Sequence, residues 1–188
     1  MIDRPDPRND HDNDPGLMWR WNGRERPPFA EPTGPGQESV WDYPRPPKIV
    51  PDGREVVVTV DGVEIARTRR ALRICETASP PTFYLPPDDV DRTRLVPARG
   101  TSRCEWKGLA SYWTIVTDAG RHEMAAWSYE RPLDDASEIK GHLAFYPNRV
   151  ACWVDGERVT PQPGRFYGGW ITKELTGPFK GEPGTEGW

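Results

Sequence analysis

The densest chemistry in the chain lies in residues 101–113, which read TSRCEWKGLASYW. This short stretch carries a thiol, a carboxylate, an ammonium, an indole and a phenol. If the segment turns, Cys104 and Lys107 can converge, and an adjacent cation stabilises the thiolate that is the actual nucleophile. Alternatively, Cys104 is a small buried side chain, since free cysteine is among the most buried residue types. The sequence therefore offers Cys104 as a nucleophile and Lys107 as its electrostatic or proton-transfer partner.

Glu76 is a second candidate for catalysis because it follows an alternating segment, RALRICET. Alternation places Glu76 on the same face as Leu72 and Ile74, where its carboxylate would point into apolar surroundings. A carboxylate in that position is either paired, with Lys107 or an arginine, or available for general acid–base catalysis. The alternative is that the strand ends at Glu76 and the side chain turns to solvent.

Aromatic side chains alternate with small or polar residues along the middle of the chain. They could wall a concave pocket or form a cage for a ring or a cation, while a plain aromatic core is the alternative for most of them. Arg149 follows FYPN and is either an anion-binding group at a turn or a solvated surface arginine. The predicted ligand-binding residues are Tyr84, Trp106, Tyr112, Trp127, Tyr146 and Arg149.

Two strong turn signals define the elements that must position these residues. Asp61-Gly62 is flanked by β-branched runs in VVVTV-DG-VEIAR, and Asp155-Gly156 recurs in CWV-DG-ERVT, both of which predict tight hairpins. Further strands are predicted over RALRICET, residues 82–85, SYWTIVTD, EMAAWSYE and LAFYP. No stretch supports a long amphipathic helix, so the pattern predicts an all-β fold built from short strands and Pro/Gly turns, arranged as a sandwich or a barrel-like pair of sheets.

Helical structure is expected only as single turns. DDVDRTRL is predicted to form one such turn with Asp88 or Asp89 as its cap, and ASEIKGH is too brief for more than another.

The chain divides into three parts by composition. We predict an extended N-terminal arm over residues 1–36, a β domain over 37–160 and a Gly/Pro-rich segment over 161–188 that packs on the domain. Trp19 and Trp21 could anchor the arm on the domain or on a neighbouring subunit, and a loosely ordered arm is the alternative. Assembly of a homo-oligomer through these tails is a further expectation.

Charge and hydropathy restrict the partners of the chain. The 25 basic and 29 acidic residues give a net charge of −4, so the overall basic character of a nucleic-acid-binding protein is missing. The apolar runs are far shorter than the roughly 20 residues that span a bilayer, and MIDRPDPRND has no secretory core. We expect a cytoplasmic protein whose partner is a small-molecule substrate or ligand, with no nucleic acid and no membrane.

The cysteines indicate neither disulfides nor a metal site. Cys75, Cys104 and Cys152 are an odd number without a CxxC pair, and the three histidines lack a carboxylate or thiol at ligand spacing. We therefore expect reduced thiols, no metal and no cofactor.

The chain resembles the DUF427 family in segments that follow the family's order: ETASPPTFYLPPDDV, TSRCEWKGLASYW, AAWSYERPL and IKGHLAFYPNRV with VDGE. The resemblance covers roughly residues 48–158, and YGGWITKELTGPFKGEPGTEGW looks like the tail of longer members. Matching motif positions are Glu76, Pro81, Tyr84, Cys104, Trp106, Lys107, Gly108, Tyr112, Trp127, Tyr129, Phe145, Tyr146 and Arg149.

The resemblance implies an all-β fold of the Mss4-like or β-tent type, with two antiparallel sheets that meet at an angle. Relatives on that fold often bind zinc through two CxxC knuckles, which this sequence lacks. The family is sometimes labelled nucleotidyltransferase-like, yet the chain has no paired carboxylates in a Gly-Ser context to hold Mg²⁺ and a nucleotide.

Two functions compete at this point. The first is an enzyme for a small polar metabolite, with Glu76 as general acid or base, Lys107 as its partner and Cys104 as nucleophile. The second is a binding module in which the aromatic residues form a cage, Glu76 supplies a counter-charge and no bond is made or broken.

Overall fold

The computed structural model describes residues 20–164 and 166–188, which form an all-β fold, as predicted. Trp19 lies outside the described residues, so of the two predicted arm anchors only Trp21 can be placed. The fifteen strands are β1 Glu38–Ser39, β2 Lys48–Asp52, β3 Val56–Val60, β4 Val63–Thr68, β5 Ala71–Cys75, β6 Thr82–Tyr84, β7 Leu95–Cys104, β8 Gly108–Thr117, β9 Gly120–Ser128, β10 Leu143–Phe145, β11 Ala151–Val154, β12 Glu157–Arg158, β13 Thr160–Pro161, β14 Trp170–Ile171 and β15 Leu175–Thr176.

The helices of the described residues are all short 3₁₀ helices. They span Val40–Asp42, Pro87–Asp89, Arg92–Arg94 and Asp134–Ile139. None of the helices in the described part of the chain is both long and apolar enough to cross a membrane.

The strands of the described residues form five sheets, more than the pair that was predicted, and all but one of the strand pairs are antiparallel, as the resemblance implies. The three larger sheets have the orders β10-β9-β8-β7, β12-β11-β3-β4 and β2-β5-β6, and the two-stranded sheets are β13-β14 and the parallel pair β1-β15. Leu85 and Leu143 exchange backbone hydrogen bonds of 2.8 and 2.9 Å. This bridge joins β6 to β10, so two of the larger sheets form one continuous surface.

Both predicted hairpins are present. Asp61 and Gly62 adopt φ values of 51° and 79°, and Asp155 and Gly156 adopt 46° and 77°. These left-handed conformations match the twist of the flanking strands, which explains why Asp-Gly is the turn sequence at both places.

The sequence analysis did not predict strand β7, which contains Pro97 and Gly100, two residue types that are rare in strands. In the structure β7 lies at the edge of its sheet, and a register shift between Pro97 and Thr101 accommodates the irregular residues. Proline is tolerated on an edge strand because its missing N–H leaves no ladder partner unpaired.

The predicted helical cap was wrong. The segment after β6 forms two 3₁₀ helices, and Asp91 caps the second by accepting a hydrogen bond from the Thr93 N–H at 3.1 Å. The first helix begins after Pro86 with no side-chain cap, so neither Asp88 nor Asp89 has the predicted role.

Alternation along the strands divides the side chains between two apolar clusters. Phe83 and Leu85 belong to the main core, which also contains Phe145, whereas Tyr84 and Ala144 belong to a second cluster on the opposite face. The second cluster is aromatic and forms the floor of the pocket described below.

The C-terminal segment contributes directly to the main core. Trp170 is fully buried, its ring stacks on Phe83 at a centroid distance of 4.9 Å, and its Nε1 donates to the Phe145 carbonyl at 3.0 Å. At the other end of the segment, the Trp188 ring stacks on Phe29 at 5.1 Å. The segment is therefore packed both on the sheets and on the N-terminal arm.

Replacement of Trp170 tests how far the C-terminal segment contributes to stability. We expect Trp170→Ala to reduce the free energy of unfolding by about 3–5 kcal/mol, because a large buried ring and its hydrogen bond are lost. Phe166→Ala is the matched control, since Phe166 is 71% exposed in the same segment. Urea denaturation measures both, and a loss below about 1 kcal/mol for Trp170→Ala would contradict this packing.

Candidate functional site

A pocket of about 430 Å³ lies on the aromatic face of the continuous sheet. Eight of the nine residues predicted for the site line this pocket. They are Glu76, Tyr84, Cys104, Trp106, Lys107, Tyr112, Trp127 and Tyr146.

The β7–β8 hairpin brings Cys104 and Lys107 together. Cys104 ends β7 and pairs with Gly108, the first residue of β8, so residues 105–107 form the turn. Gly108 has a φ of 97°, a left-handed conformation that favours glycine, and the Lys107 carbonyl accepts a hydrogen bond from Leu133 at 3.1 Å. The tight turn thus fixes both side chains at the edge of the pocket.

The electrostatics of Lys107 are set by its acidic neighbours. Burial acts to lower the pKa of Lys107, but attraction to Cys104, Tyr129 and Glu76, with a hydrogen bond to Cys104, raises it above its usual 10.5. Lys107 is therefore an ammonium at neutral pH and cannot serve as a base. It is suited to stabilising negative charge on the Cys104 sulfur.

The three cysteines differ in their access to solvent. Cys104 is partly exposed and lines the pocket, whereas Cys75 and Cys152 are buried. Burial raises the pKa of Cys75 to about 11 and raises the pKa of Cys152 further. Cys75 and Cys152 are therefore structural thiols, which leaves Cys104 as the cysteine with access to a ligand.

Glu76 follows the end of β5 and points towards a buried arginine. Its Oε1 lies 3.3 Å from Nε of Arg45, whose side chain is only 1% exposed. Arg45 also donates to the Thr77 carbonyl at 2.8 Å and to the Trp21 carbonyl at 3.4 Å. Burial lowers the pKa of Arg45, and attraction to Glu76 opposes that effect. The carboxylate is thus held in an ion pair at the pocket wall.

Tyrosine and tryptophan rings form the floor of the pocket. Trp127 donates from Nε1 to the Tyr84 hydroxyl at 3.2 Å, and its ring lies 4.3 Å from that of Tyr146. Ser102 and Tyr112 share a 2.6 Å hydrogen bond between their hydroxyls. Burial raises the pKa of Tyr84 and Tyr146, so these phenols are neutral at physiological pH.

The C-terminal segment closes one side of the pocket with Gln162, Phe166, Tyr167, Gly168 and Lys180. The Gln162 amide donates to the Lys180 carbonyl at 2.7 Å and accepts from the Gly169 N–H at 3.0 Å. A Cβ atom on Gly168 would lie only 2.3 Å from the Trp127 ring. Glycine is therefore required where this segment passes over the aromatic floor.

The sequence analysis did not identify Arg45, Gln162 or Lys180. Each is distant in sequence from the central motif and has no neighbouring residues that suggest a site. The Gly168-Gly169 pair was the available signal, because adjacent glycines often mark a close approach of the backbone to another group.

The structure does not bring Arg149 to this pocket. Its Nη1 donates to the carbonyls of Glu123 and Met124 at 2.7 and 3.1 Å, and its guanidinium lies 5.2 Å from the Tyr146 ring centroid. Arg149 instead lines a second cavity of about 290 Å³.

The described residues contain no group of three or more His, Cys, Asp or Glu side chains that could hold a metal ion. The chemistry offered by the larger pocket is therefore that of its thiol, its ammonium groups, its carboxylates and its neutral phenols.

Comparison with known proteins identifies one family. Its model, described as "Domain of unknown function (DUF427)", matches residues 48–156, which are 109 of the 188 residues. None of the curated proteins matches the chain. The match includes the β7–β8 hairpin and the aromatic floor, whereas Arg45 and the C-terminal wall lie outside it.

Removal of the arginine partner tests the ion pair at Glu76. We expect Arg45→Met to reduce the free energy of unfolding by about 3 kcal/mol, because Glu76 and two carbonyls lose their partner. Glu76→Gln should cost about 1 kcal/mol, and the double variant less than the sum of both, since the residues interact directly.

Urea denaturation of these variants measures the coupling, with Arg99→Met, at an exposed position, as the control that should change stability by under about 0.5 kcal/mol. Additive effects of Arg45→Met and Glu76→Gln would show that the two side chains do not interact.

Proposed function

The chain belongs to the DUF427 family, and from this premise we propose that it is an enzyme that acts on a small molecule through the thiolate of Cys104. The observation that carries the proposal is the position of Cys104. Among the three cysteines it alone lines the pocket, and the Lys107 ammonium lies near enough to interact with it electrostatically. A nearby cation stabilises the thiolate, which is the nucleophilic form of cysteine.

The proposed reaction is displacement at an electrophilic carbon of the substrate. The thiol proton moves to the Glu76 carboxylate, and the thiolate forms a bond to the carbon while the leaving group departs with its bonding pair. Glu76 then returns the proton to the leaving group. In the second half, water replaces sulfur on the carbon, its proton passes to Glu76 and then to the departing sulfur, and the Cys104 thiol and the Glu76 carboxylate are restored.

Lys107 and Arg45 have separate tasks in this scheme. Lys107 stabilises the sulfur anion and the charge that develops during attack, because its ammonium persists at neutral pH. Arg45 is a positioning residue, since its ion pair holds the Glu76 carboxylate at the pocket wall. Tyr84, Trp106 and Tyr112 wall the space in which the substrate binds.

A non-catalytic binding module is the second candidate. The ion pair between Glu76 and Arg45 favours it, because a paired carboxylate is less free to exchange protons. In this case the aromatic floor would supply the binding surface, and Cys104 would be one wall residue among others.

The reactivity of Cys104 towards an acyl donor tests the enzyme proposal. We expect p-nitrophenyl acetate to release one p-nitrophenolate per chain, and peptide mass spectrometry to place the acetyl group on Cys104. Cys104→Ala should abolish this release. Lys107→Met should slow it by roughly tenfold, because the thiolate loses its counter-charge.

Lys140→Met is the matched control, since Lys140 is exposed and does not line the pocket. It should react as fast as the unaltered chain. No acetylation of Cys104 in the folded chain would contradict the enzyme proposal. A ligand whose affinity changes by only a few-fold in Cys104→Ala would then support the binding module.

We further propose a cytoplasmic location, which is supported by three cysteines that form no disulfide. Assembly of a homo-oligomer through the terminal segments stays a prediction. A single monomer peak in light scattering at high protein concentration would contradict it.

A further inference from the structure

We infer that the pocket selects a small ring compound that carries a negatively charged oxygen group, a carboxylate or a phosphate. This inference rests on the proposed function, because it assigns a substrate class to the same pocket. It concerns recognition only and requires no reaction at Cys104.

The first argument is the balance of charge around the pocket. Arg103, Lys107 and Lys180 line it, against the two carboxylates Glu76 and Glu105. Three cations therefore face two carboxylates, and one of these, Glu76, is also paired with the buried Arg45. The pocket lining thus has an excess of positive charge, although the whole chain has a net charge of −4.

The second argument is the buried ammonium of Lys180 in the C-terminal wall. Lys180 is only 8% exposed, and its Nζ donates to the Trp188 main-chain oxygen at 2.8 Å. Burial and the positive charge of Arg45 lower the pKa of Lys180, while attraction to Glu76, Glu105 and Glu186 opposes them. A bound anion would stabilise this buried ammonium further, whereas a bound cation would destabilise it.

The third argument is the supply of hydrogen-bond donors. Trp106 lines the pocket, and its indole Nε1 is buried without an acceptor in the part of the chain that the structure describes. An indole N–H can only donate. Oxygen atoms of a carboxylate or phosphate are acceptors only and therefore match this donor and the ammonium groups.

The fourth argument concerns the rest of the ligand. The rings of Trp127 and Tyr146 offer an apolar surface in a pocket of about 430 Å³, a volume typical of small-molecule sites. Aromatic faces also attract cations, but Lys107 and Lys180 line the same space and repel them. A ring that carries an anionic oxygen group therefore matches both the aromatic floor and the cationic side chains of the pocket.

A series of ring probes that differ in charge tests this inference. Benzoate, phenyl phosphate, benzamide and benzylamine are titrated into the folded chain, and the indole N–H signals of Trp106 and Trp127 are followed by NMR. We expect one of the two anions to bind roughly tenfold more tightly than benzamide, and benzylamine to bind more weakly than benzamide. The stronger of the two anions distinguishes a carboxylate from a phosphate.

Charge variants link the preference to the named residues. Lys180→Met and Lys107→Met should each reduce the preference for the anion by roughly threefold to tenfold, and Lys180→Arg should retain it. Lys173→Met is the control, because Lys173 is exposed in the same segment and does not line the pocket. If Lys180→Met does not fold, Lys107→Met and Arg103→Met provide the same comparison.

The outcomes separate this inference from the proposed function. Equal affinity for all probes, tighter binding of benzylamine, or no shift of either indole signal would overturn the inference. The titration is repeated with Cys104→Ser, which removes the thiol and leaves the charges. A preference for anions together with an unreactive Cys104 would support the ligand class and contradict the enzyme proposal. A reactive Cys104 without that preference would support the enzyme proposal and contradict the ligand class.

Discussion

The contact between the Lys107 ammonium and the Cys104 sulfur is the interaction on which the rest of the site depends. A partly buried ammonium is unfavourable unless anionic or polarisable groups surround it. Here the sulfur, the Glu76 carboxylate and the Tyr129 phenol supply that environment and raise the pKa of Lys107. The hairpin turn makes the contact possible, because three residues between Cys104 and Gly108 leave both side chains on the pocket edge.

The central sheets form the floor of the pocket, and the C-terminal segment contributes to its walls. The sheet surface supplies the aromatic floor, Lys180 lines the pocket from the chain after β15, and Arg45, from the chain before β2, pairs with the wall residue Glu76. Gly168 lets the C-terminal segment approach the Trp127 ring, and Trp170 anchors the same segment in the main core. The packing of the C-terminal segment is thus coupled to the shape of the pocket, because the same segment is anchored in the core and lines one side of the pocket.

Much of the fold and of the central site could be predicted because their signals are local. Asp-Gly turns specify hairpins through backbone conformation, and the thiol and ammonium are three residues apart in a turn. Strand β7 could not be predicted, because Pro97 and Gly100 are tolerated only by an edge strand with a register shift. Arg45 and Lys180 could not be predicted either, since the pairing of Arg45 with Glu76 and the position of Lys180 in the pocket wall depend on contacts between distant parts of the chain. Arg149 fits a turn, as expected, but carbonyls hold it on the far side of Tyr146.

The most direct test of the contact between Cys104 and Lys107 is peptide-resolved alkylation of the native chain with iodoacetamide across a range of pH. The rate of thiol alkylation follows the thiolate fraction and its access, and Cys75 and Cys152 are buried internal references. We predict that Cys104 is labelled below pH 8.5, the ordinary pKa of a free thiol, roughly a hundredfold faster than Cys75 or Cys152. Protection of all three cysteines, or equal labelling of all three, would contradict an activated thiol at Cys104.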